Sequence, residues 1–328
     1  MKAMTVAICT CLSFAVPSLC LFGPLAIASE IESAGKSLNE INHISPSSAV
    51  NTSEAEWLDL PQQDLVYLQL ADGVVVLQLA DHFAPSHSQR FRQLVRSGFY
   101  NGLSFYRVID QFVLQAGLAE GEQHPSGKPH NWPPLKAEFS WPVRSIDPYL
   151  RVENNDINAK ETGFNQGFAV GREAGQEWLL NCANMISMAR DSAKDSATTD
   201  FAIMQGQAPR HLDRNMSVFA RVVFGGEWLN LVKRGDRYEN GGVIAKKADR
   251  SQIIKASLGN ELAQSQQLSL EISNTQSKEF AAKLAKHRKR EGNFFHDKGL
   301  GKVDICYQQV QVRLRPSLSS KTSSTAKN

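Results

Sequence analysis

Apolar runs of strand length alternate with polar, turn-forming stretches along the chain, and the first clear pattern begins at Leu65. Leu65-Val66-Tyr67-Leu68-Gln69-Leu70 and Val74-Val75-Val76-Leu77-Gln78-Leu79 are two such runs, and Asp72-Gly73 lies between them. This pattern predicts a β-hairpin with Asp72-Gly73 as its two-residue turn. Pro85-Ser86 then opens a helix that has Phe91, Leu94 and Val95 on one face and Gly98 past its end, since proline starts helices and glycine stops them. Strand pattern returns at 102–114, 167–170, 185–189, 201–204, 218–224 and 253–258, and the apolar pairs at 228–229 and 231–232 predict a short helix. Two helices among about eight strands predict a mainly β fold, a closed eight-stranded antiparallel barrel capped by two helices.

Three regions depart from that rhythm. Residues 29–60 are polar and lack periodicity, which reads as a disordered spacer. Between residues 120 and 155, His124-Pro125, Lys128-Pro129, Pro133-Pro134, Trp141-Pro142 and Asp147-Pro148 punctuate the chain. This is expected to be an irregular insertion, spanning about 120–165. Beyond Gly259, Leu268-Ser269-Leu270-Glu271-Ile272, a helical stretch at 277–290 and alternation over 303–314 predict a strand–helix–strand extension at 259–316. The Ser/Lys/Thr-rich tail at 317–328 is expected to be disordered.

Composition changes the picture mainly at the N-terminus. After Lys2 no charge appears until Glu30, and the apolar run Thr5 to Leu25 ends in Ala26-Ile27-Ala28, a small-x-small cleavage pattern. Residues 1–28 therefore read as a signal peptide, and the protein as exported, in a Gram-negative cell to the periplasm. A membrane anchor is the rival reading, but Pro17, Gly23 and Pro24 interrupt the run. Of five cysteines only Cys182 and Cys306 lie beyond this leader. They could form one disulfide in an oxidising compartment or pack as two separate thiols, and the sequence leaves both readings open. The net charge of +3, with no nucleic-acid motif, argues against a nucleic-acid partner.

The chemistry concentrates in Phe105-Tyr106-Arg107-Val108-Ile109-Asp110-Gln111-Phe112-Val113-Leu114-Gln115. A guanidinium inside a buried-looking strand is costly unless it is paired or aimed at a ligand. Asn101 to Ile109 resembles the cyclophilin block that ends in Phe-His-Arg-Val-Ile, with Tyr106 in place of the histidine. Met185-Ile186-Ser187-Met188-Ala189-Arg190, the 196–203 stretch, and Leu212-Asp213 with Val218-Phe219 resemble three further blocks of that family, in the same order. The resemblance covers about residues 64–258, within a domain at 61–258. It implies the cyclophilin barrel and peptidyl-prolyl cis-trans isomerase activity on proline-containing, unfolded or folding polypeptides, without a cofactor.

By that resemblance Arg107 is the catalytic donor and Gln115 holds it or contacts the substrate backbone. Phe112, Val113, Ala189, Asp200, Ala202, His211, Leu212 and Met216 then bind substrate. Four of these positions depart from the family. Asp200-Phe201-Ala202 stands where Gln-Phe-Phe is usual, so an aromatic wall of the proline pocket is reduced to a methyl group. His211 replaces an aromatic, and Met216 replaces a His or Tyr. Met216 is expected to refill part of the gap, and Asp200 either to pair with Arg107 or to meet a basic client residue. These losses support an alternative, a catalytically weak or inactive cyclophilin-like module that binds peptides as a chaperone.

Other readings are weaker. His211 with Ser187 or Ser217 and Asp213 lacks the elbow of a serine hydrolase. No His or Cys spacing fits a metal. Residues 283–290, Lys-Leu-Ala-Lys-His-Arg-Lys-Arg, form a basic helical stretch that reads as a solvated face; membrane contact, if any, would run through it. A monomer is expected.

Overall fold

The computed structural model describes residues 55–127, 130–308 and 310–316. The segments expected to be a signal peptide, the spacer up to residue 54 and the tail from residue 317 lie outside them. The end of the spacer does not match expectation: Trp57–Asp59 is a strand, paired antiparallel with Leu270–Ser273 of the C-terminal extension.

The main body is a curled antiparallel sheet. Its strands run in the order Ser251–Gln252, Ser104–Ile109, Val113–Gly117, Phe201–Met204, Met185–Met188, Val218–Phe224, Val74–Leu79, Leu65–Gln69 and Lys255–Leu258. By range this is nine strands where eight were expected, because one segment contributes both edges. Ser251 and Gln252 pair with Phe105 and Ser104, and Lys255–Leu258 pairs with Gln69 to Val66. At the break, Ile253 bonds Leu103 and the Ile254 amide donates to the Gln69 carbonyl, so this one stretch ties the two ends of the sheet together.

The first hairpin forms as predicted, but its turn falls one residue earlier. The Leu70 amide donates to the Gly73 carbonyl, which leaves Ala71-Asp72 as the turn. Gly73 lies under the Trp228 ring, where a Cβ would come within 2.4 Å of the indole. The short helix carrying Trp228 is a 3-10 element, Gly226–Leu231.

Helix α1, Pro85–Arg96, starts on its proline and ends before Gly98, whose φ of +73° suits glycine at that site. It buries Phe91, Leu94 and Val95, and Phe91 packs at 5.0–5.4 Å from Tyr100, Phe201 and Phe219. This aromatic group anchors the interior. Truncating one such ring to alanine costs about 3–5 kcal/mol. The α1 N-terminus is capped from a distance: the Ser86 and His87 amides both donate to the Glu138 carboxylate at 3.0 Å.

The irregular insertion expected at about 120–165 instead opens a sheet of its own that runs on to residue 179. Trp141–Pro142, Tyr149–Asn154, Glu161–Asn165, Phe168–Glu173 and Gln176–Leu179 form a five-stranded antiparallel sheet. Gly167 to Val170, read from sequence as one more strand of the barrel, lies at or in a strand of this second sheet instead. Pro142 lies within the first strand and Pro148 just before the second; Phe164 and Trp178 are buried on one face of the sheet and Val170 on the other. All three share a core with Phe280, Leu284 and Ile305 of the extension.

In the extension, helix α2 (Lys278–Lys289) begins at Ser277, whose hydroxyl accepts from the Phe280 amide. Among the described residues of the alternating 303–314 stretch, Val312–Leu314 alone is a strand; Ile305–Tyr307 is a 3-10 turn held by the Asp304 side chain. Cys182 and Cys306 are joined in a disulfide, which fixes this turn to the loop before strand Met185–Met188.

Candidate active site

Three adjacent strands place the site. Arg107 on Ser104–Ile109 pairs with Gln115 on Val113–Gly117, which pairs with Ala202 on Phe201–Met204. The next rung on the same face is Ile109, Val113 and Met204, since side chains of a strand alternate between faces. A polar rung thus lies about 7 Å from an apolar one. The opposite faces of these strands send Phe105, Val108, Leu114, Ala116, Phe201 and Ile203 into the main core.

The apolar rung is the floor of a small separate cluster. Ile109, Val113, Ala202 and Met204 are buried there, with Phe112 and Leu212 packed against them. The exposed His211 ring stacks on Phe112 at 6.4 Å. Sequence had pointed to Phe112, Val113, Ala202, Leu212 and His211, and the fold brings all five together. Ile109 and Met204 were missed. The strand alternation that puts both on the face of Arg107 was the available signal. Met216, expected to refill part of the gap beside Ala202, is half-buried and is not a member of this cluster, whereas Met204 is. Ala189 is half-buried next to Asp200, its amide donating to the Asp200 carbonyl at 2.7 Å.

Arg107 is half-buried and forms no ion pair among the described residues. Its Nε donates to the Gly241 carbonyl at 2.9 Å and its Nη1 to Gln115 Oε1 at 3.3 Å. Its Nη2 makes no hydrogen bond to the described residues. Gly241 belongs to a loop that lies along the outer edge of the strand: Val108 donates to Gly242, and Ile244 to Tyr106. The guanidinium is therefore held by neutral acceptors on one side, with N–H groups left over.

A β-bulge shapes this corner. The register slips between Phe105 and Arg107, so Tyr106 is an extra residue with no opposite partner. Such bulges re-aim side chains, often at functional sites. Here Tyr106 and Arg107, neighbours in sequence, both reach Gln115. Gln115 Nε2 donates to Tyr106 Oη at 2.5 Å, and Tyr106 Oη donates to Asp200 Oδ2 at 2.8 Å. Asp200 Oδ1 accepts from Thr199 Oγ1 and the Leu118 amide.

Asp200 is therefore paired with Tyr106, and the expected alternatives, Arg107 or a client residue, do not describe its place. The tyrosine hydroxyl stands between the two groups and takes the carboxylate. Burial pushes the Asp200 carboxyl above the usual carboxylate value, against the pull of its three hydrogen bonds. Burial, then the Asp200 charge, pushes the Tyr106 phenol well above its ordinary value, so it keeps its proton. The sequence showed Tyr106 only as a departure from the family block and not its link to Asp200, because that contact depends on the bulge. Among the described residues no cluster of three or more acidic, His or Cys side chains could hold a metal ion.

The chain resembles known proteins over the same region. Residues 65–256 match the family model described as cyclophilin type peptidyl-prolyl cis-trans isomerase/CLD. A probable peptidyl-prolyl cis-trans isomerase of Brucella suis is 30% identical over 204 residues, covering 60% of this chain and 83% of that protein. Peptidyl-prolyl cis-trans isomerase A of Dickeya dadantii is 32% identical over 160 residues, covering 49% of this chain and 63% of that protein. The crystal structure of cyclophilin AquaCyp293 from Hirschia baltica superposes with a TM-score of 0.63 at 23% identity, covering 80% of this chain and 95% of that one. That structure supports the fold, and the sequence matches carry the assignment. The chain belongs to the cyclophilin-type peptidyl-prolyl cis-trans isomerases.

Proposed function

We propose that this isomerase acts on X-Pro bonds of exported polypeptides and that Arg107 supplies the transition-state stabilisation. Rotation about the peptide bond meets a barrier of ~18–20 kcal/mol because the amide is resonance-stabilised. As the bond twists, the prolyl nitrogen pyramidalises and its lone pair becomes an acceptor. A donor placed there gains strength only in the transition state, which is the condition for raising the rate. No covalent bond forms and no proton need be transferred.

The observation that carries this reading is the pair of rungs. Arg107 lies beside an apolar cluster of Ile109, Val113, Ala202 and Met204 with Phe112 and Leu212 on it. The pyrrolidine ring would sit on the apolar rung with its nitrogen towards the guanidinium, whose Nε and Nη1 are tethered by Gly241 and Gln115. A guanidinium spent on a carboxylate could not serve, and this one pairs with none among the described residues.

Two features support export: the leader through Ala26-Ile27-Ala28, and the Cys182–Cys306 disulfide, a bond that persists in oxidising compartments. N-terminal sequencing of the protein recovered from its cells should begin at Ser29; retention of Met1 contradicts export with cleavage. Catalysis is tested by NMR exchange on short X-Pro peptides. Wild-type protein should speed exchange and Arg107→Ala should slow it by about 100-fold. Peptide shifts without faster exchange in the wild type would show binding alone and sink the mechanism.

A further inference from the structure

The positive charge of the chain is concentrated in one place. Residues 283–302 hold seven Lys or Arg against two acidic residues, a net of +5, while the whole chain carries +3. The remainder is thus slightly acidic, at −2. Lys286 and Arg290 lie exposed on helix α2 and at its C-cap, and the half-buried Lys283 lines the cavity beside Phe280 and Leu284. None of these three, nor Lys302, is in an ion pair among the described residues. By contrast Arg288 is structural: it binds the Glu153 carboxylate and the Val152 carbonyl on the insertion sheet.

The same segment exposes apolar groups that packing does not use. After α2 the chain folds into a loop held by Lys298 Nζ, which donates to the Arg290 and Gly292 carbonyls at 3.0 and 2.9 Å. Its outer side presents Phe294 at 86% exposure, Phe295 at 41% and Leu300 at 93%. The two phenylalanine rings pack edge-on at 5.3 Å, as one unit. A cavity of about 360 Å³ beside α2 adds Lys283, His287 and the exposed Tyr307 to the surface.

A soluble protein gains nothing from holding two aromatic rings in water on a loop fixed by its own lysine. Basic side chains next to protruding aromatics fit a surface that is anionic outside and apolar a few ångströms below, which describes a bilayer with anionic headgroups. An acidic protein partner would satisfy the charge but would also need a groove for Phe294 and Leu300. We infer that α2 and the 290–302 loop form a peripheral docking surface for membranes bearing anionic phospholipid headgroups, with Phe294, Phe295 and Leu300 entering the interface. This would hold the isomerase at the membrane surface where exported chains emerge.

Co-sedimentation of the full chain with vesicles tests this. Binding to phosphatidylglycerol–phosphatidylcholine vesicles should exceed binding to pure phosphatidylcholine and should fall steeply as salt rises, a comparison that needs no variant. Each basic residue at such a surface contributes about fivefold, so replacing Lys283, Lys286 and Arg290 by alanine should weaken binding by roughly 100-fold. Phe294→Ala with Phe295→Ala should weaken it by at least tenfold at constant salt. Isomerase activity should stay at the wild-type level in both variants. Binding carried by the apolar leader would ignore headgroup charge and both sets of substitutions, and that result overturns the proposal. So does capture of soluble polyglutamate with no preference for anionic vesicles, which would assign the surface to an acidic polypeptide.

Discussion

The Tyr106 hydroxyl accepts the side-chain amide of Gln115 at 2.5 Å and gives its own proton to Asp200. One hydroxyl proton cannot go both ways, so the carboxylate fixes the direction of every bond in the chain. Because Gln115 must present Nε2 to Tyr106, it turns Oε1 to Arg107. A buried acid thereby sets the orientation of the amide that holds the guanidinium. Tyr106→Phe removes this link and leaves the Asp200 carboxylate short of a donor, which costs about 1–3 kcal/mol of stability. Activity should drop by about tenfold in NMR exchange on X-Pro peptides, with peptide affinity little changed. Equal activity of the variant and the wild type would separate Tyr106 from catalysis.

Asp200→Asn makes a sharper test. The asparagine oxygen can keep the Leu118 and Thr199 bonds, which puts its amide nitrogen against Tyr106. The hydroxyl must then donate to Gln115, and the glutamine amide flips to aim Nε2 at Arg107. A donor would face a cation. The fold should survive, since a neutral group replaces a buried charge, while activity falls by tenfold or more. Nitrogen shifts of the Gln115 side chain report the flip directly, and an unmoved amide refutes the argument.

The same reasoning fixes the pH dependence. Burial raises the Asp200 pKa above its unfolded value. The folded state therefore favours the protonated acid: this stabilisation is complete below the unfolded pKa near 3.8 and is lost as pH rises through the folded pKa. Neutral Asp200 resembles the asparagine, so wild-type activity should fall on acidification through that folded value. The Asp200→Asn variant should show no such limb. Thermal melts should show Asp200→Asn gaining on the wild type as pH rises through the same window.

Arg107, Phe112 and Gln115 were singled out by the resemblance to cyclophilin blocks, and the fold keeps them within one hairpin, where short spacings in sequence become short distances. Helix α1 was legible in the spacing of Phe91, Leu94 and Val95, with Pro85 and Gly98 marking its ends. What escaped depends on contacts between distant segments or on local irregularity. Asp200 meets Tyr106 across 94 residues, and a bulge is needed to bring them together. The insertion sheet was hidden because its strands are short and the proline-rich stretch that leads into it reads as irregular, although no proline separates its last four strands. Met216 was misplaced by its position in a family block, whereas Met204, two residues after Ala202 on the same strand face, was the better candidate.

Reduction of Cys182–Cys306 tests how the extension is held. The bond spans 124 residues, and cross-links over loops of that order contribute about 4–5 kcal/mol in the chain-entropy account. The turn at Ile305–Tyr307 shares a core with the insertion sheet, so part of the docking survives without the bond. Cys306→Ala should cost about 2–5 kcal/mol in denaturant melts, with activity of the folded protein within twofold of wild type. Arg107 and the two rungs lie on other strands. A collapse of activity at unchanged stability would show that the extension shapes the groove.

Ala202 offers the test of substrate contact. It pairs with Gln115 and so faces the same side as Arg107, not the barrel interior that Phe201 and Ile203 fill. A phenylalanine there would extend over the cluster of Ile109, Val113, Met204 and Phe112 and add an apolar wall beside the substrate ring. Burying an aromatic against a proline is worth ~1–2 kcal/mol by the area rule, so Ala202→Phe should tighten X-Pro peptide binding by about five- to thirtyfold. Since the site is already 5% exposed, Met204 must shift to admit the ring, at a cost of about 1–3 kcal/mol in stability. Tighter binding with a modest loss of melting temperature confirms the face assignment. A stability loss without any gain in affinity would mean that Met204 has closed the pocket, and Met204→Ala combined with Ala202→Phe should then reopen it.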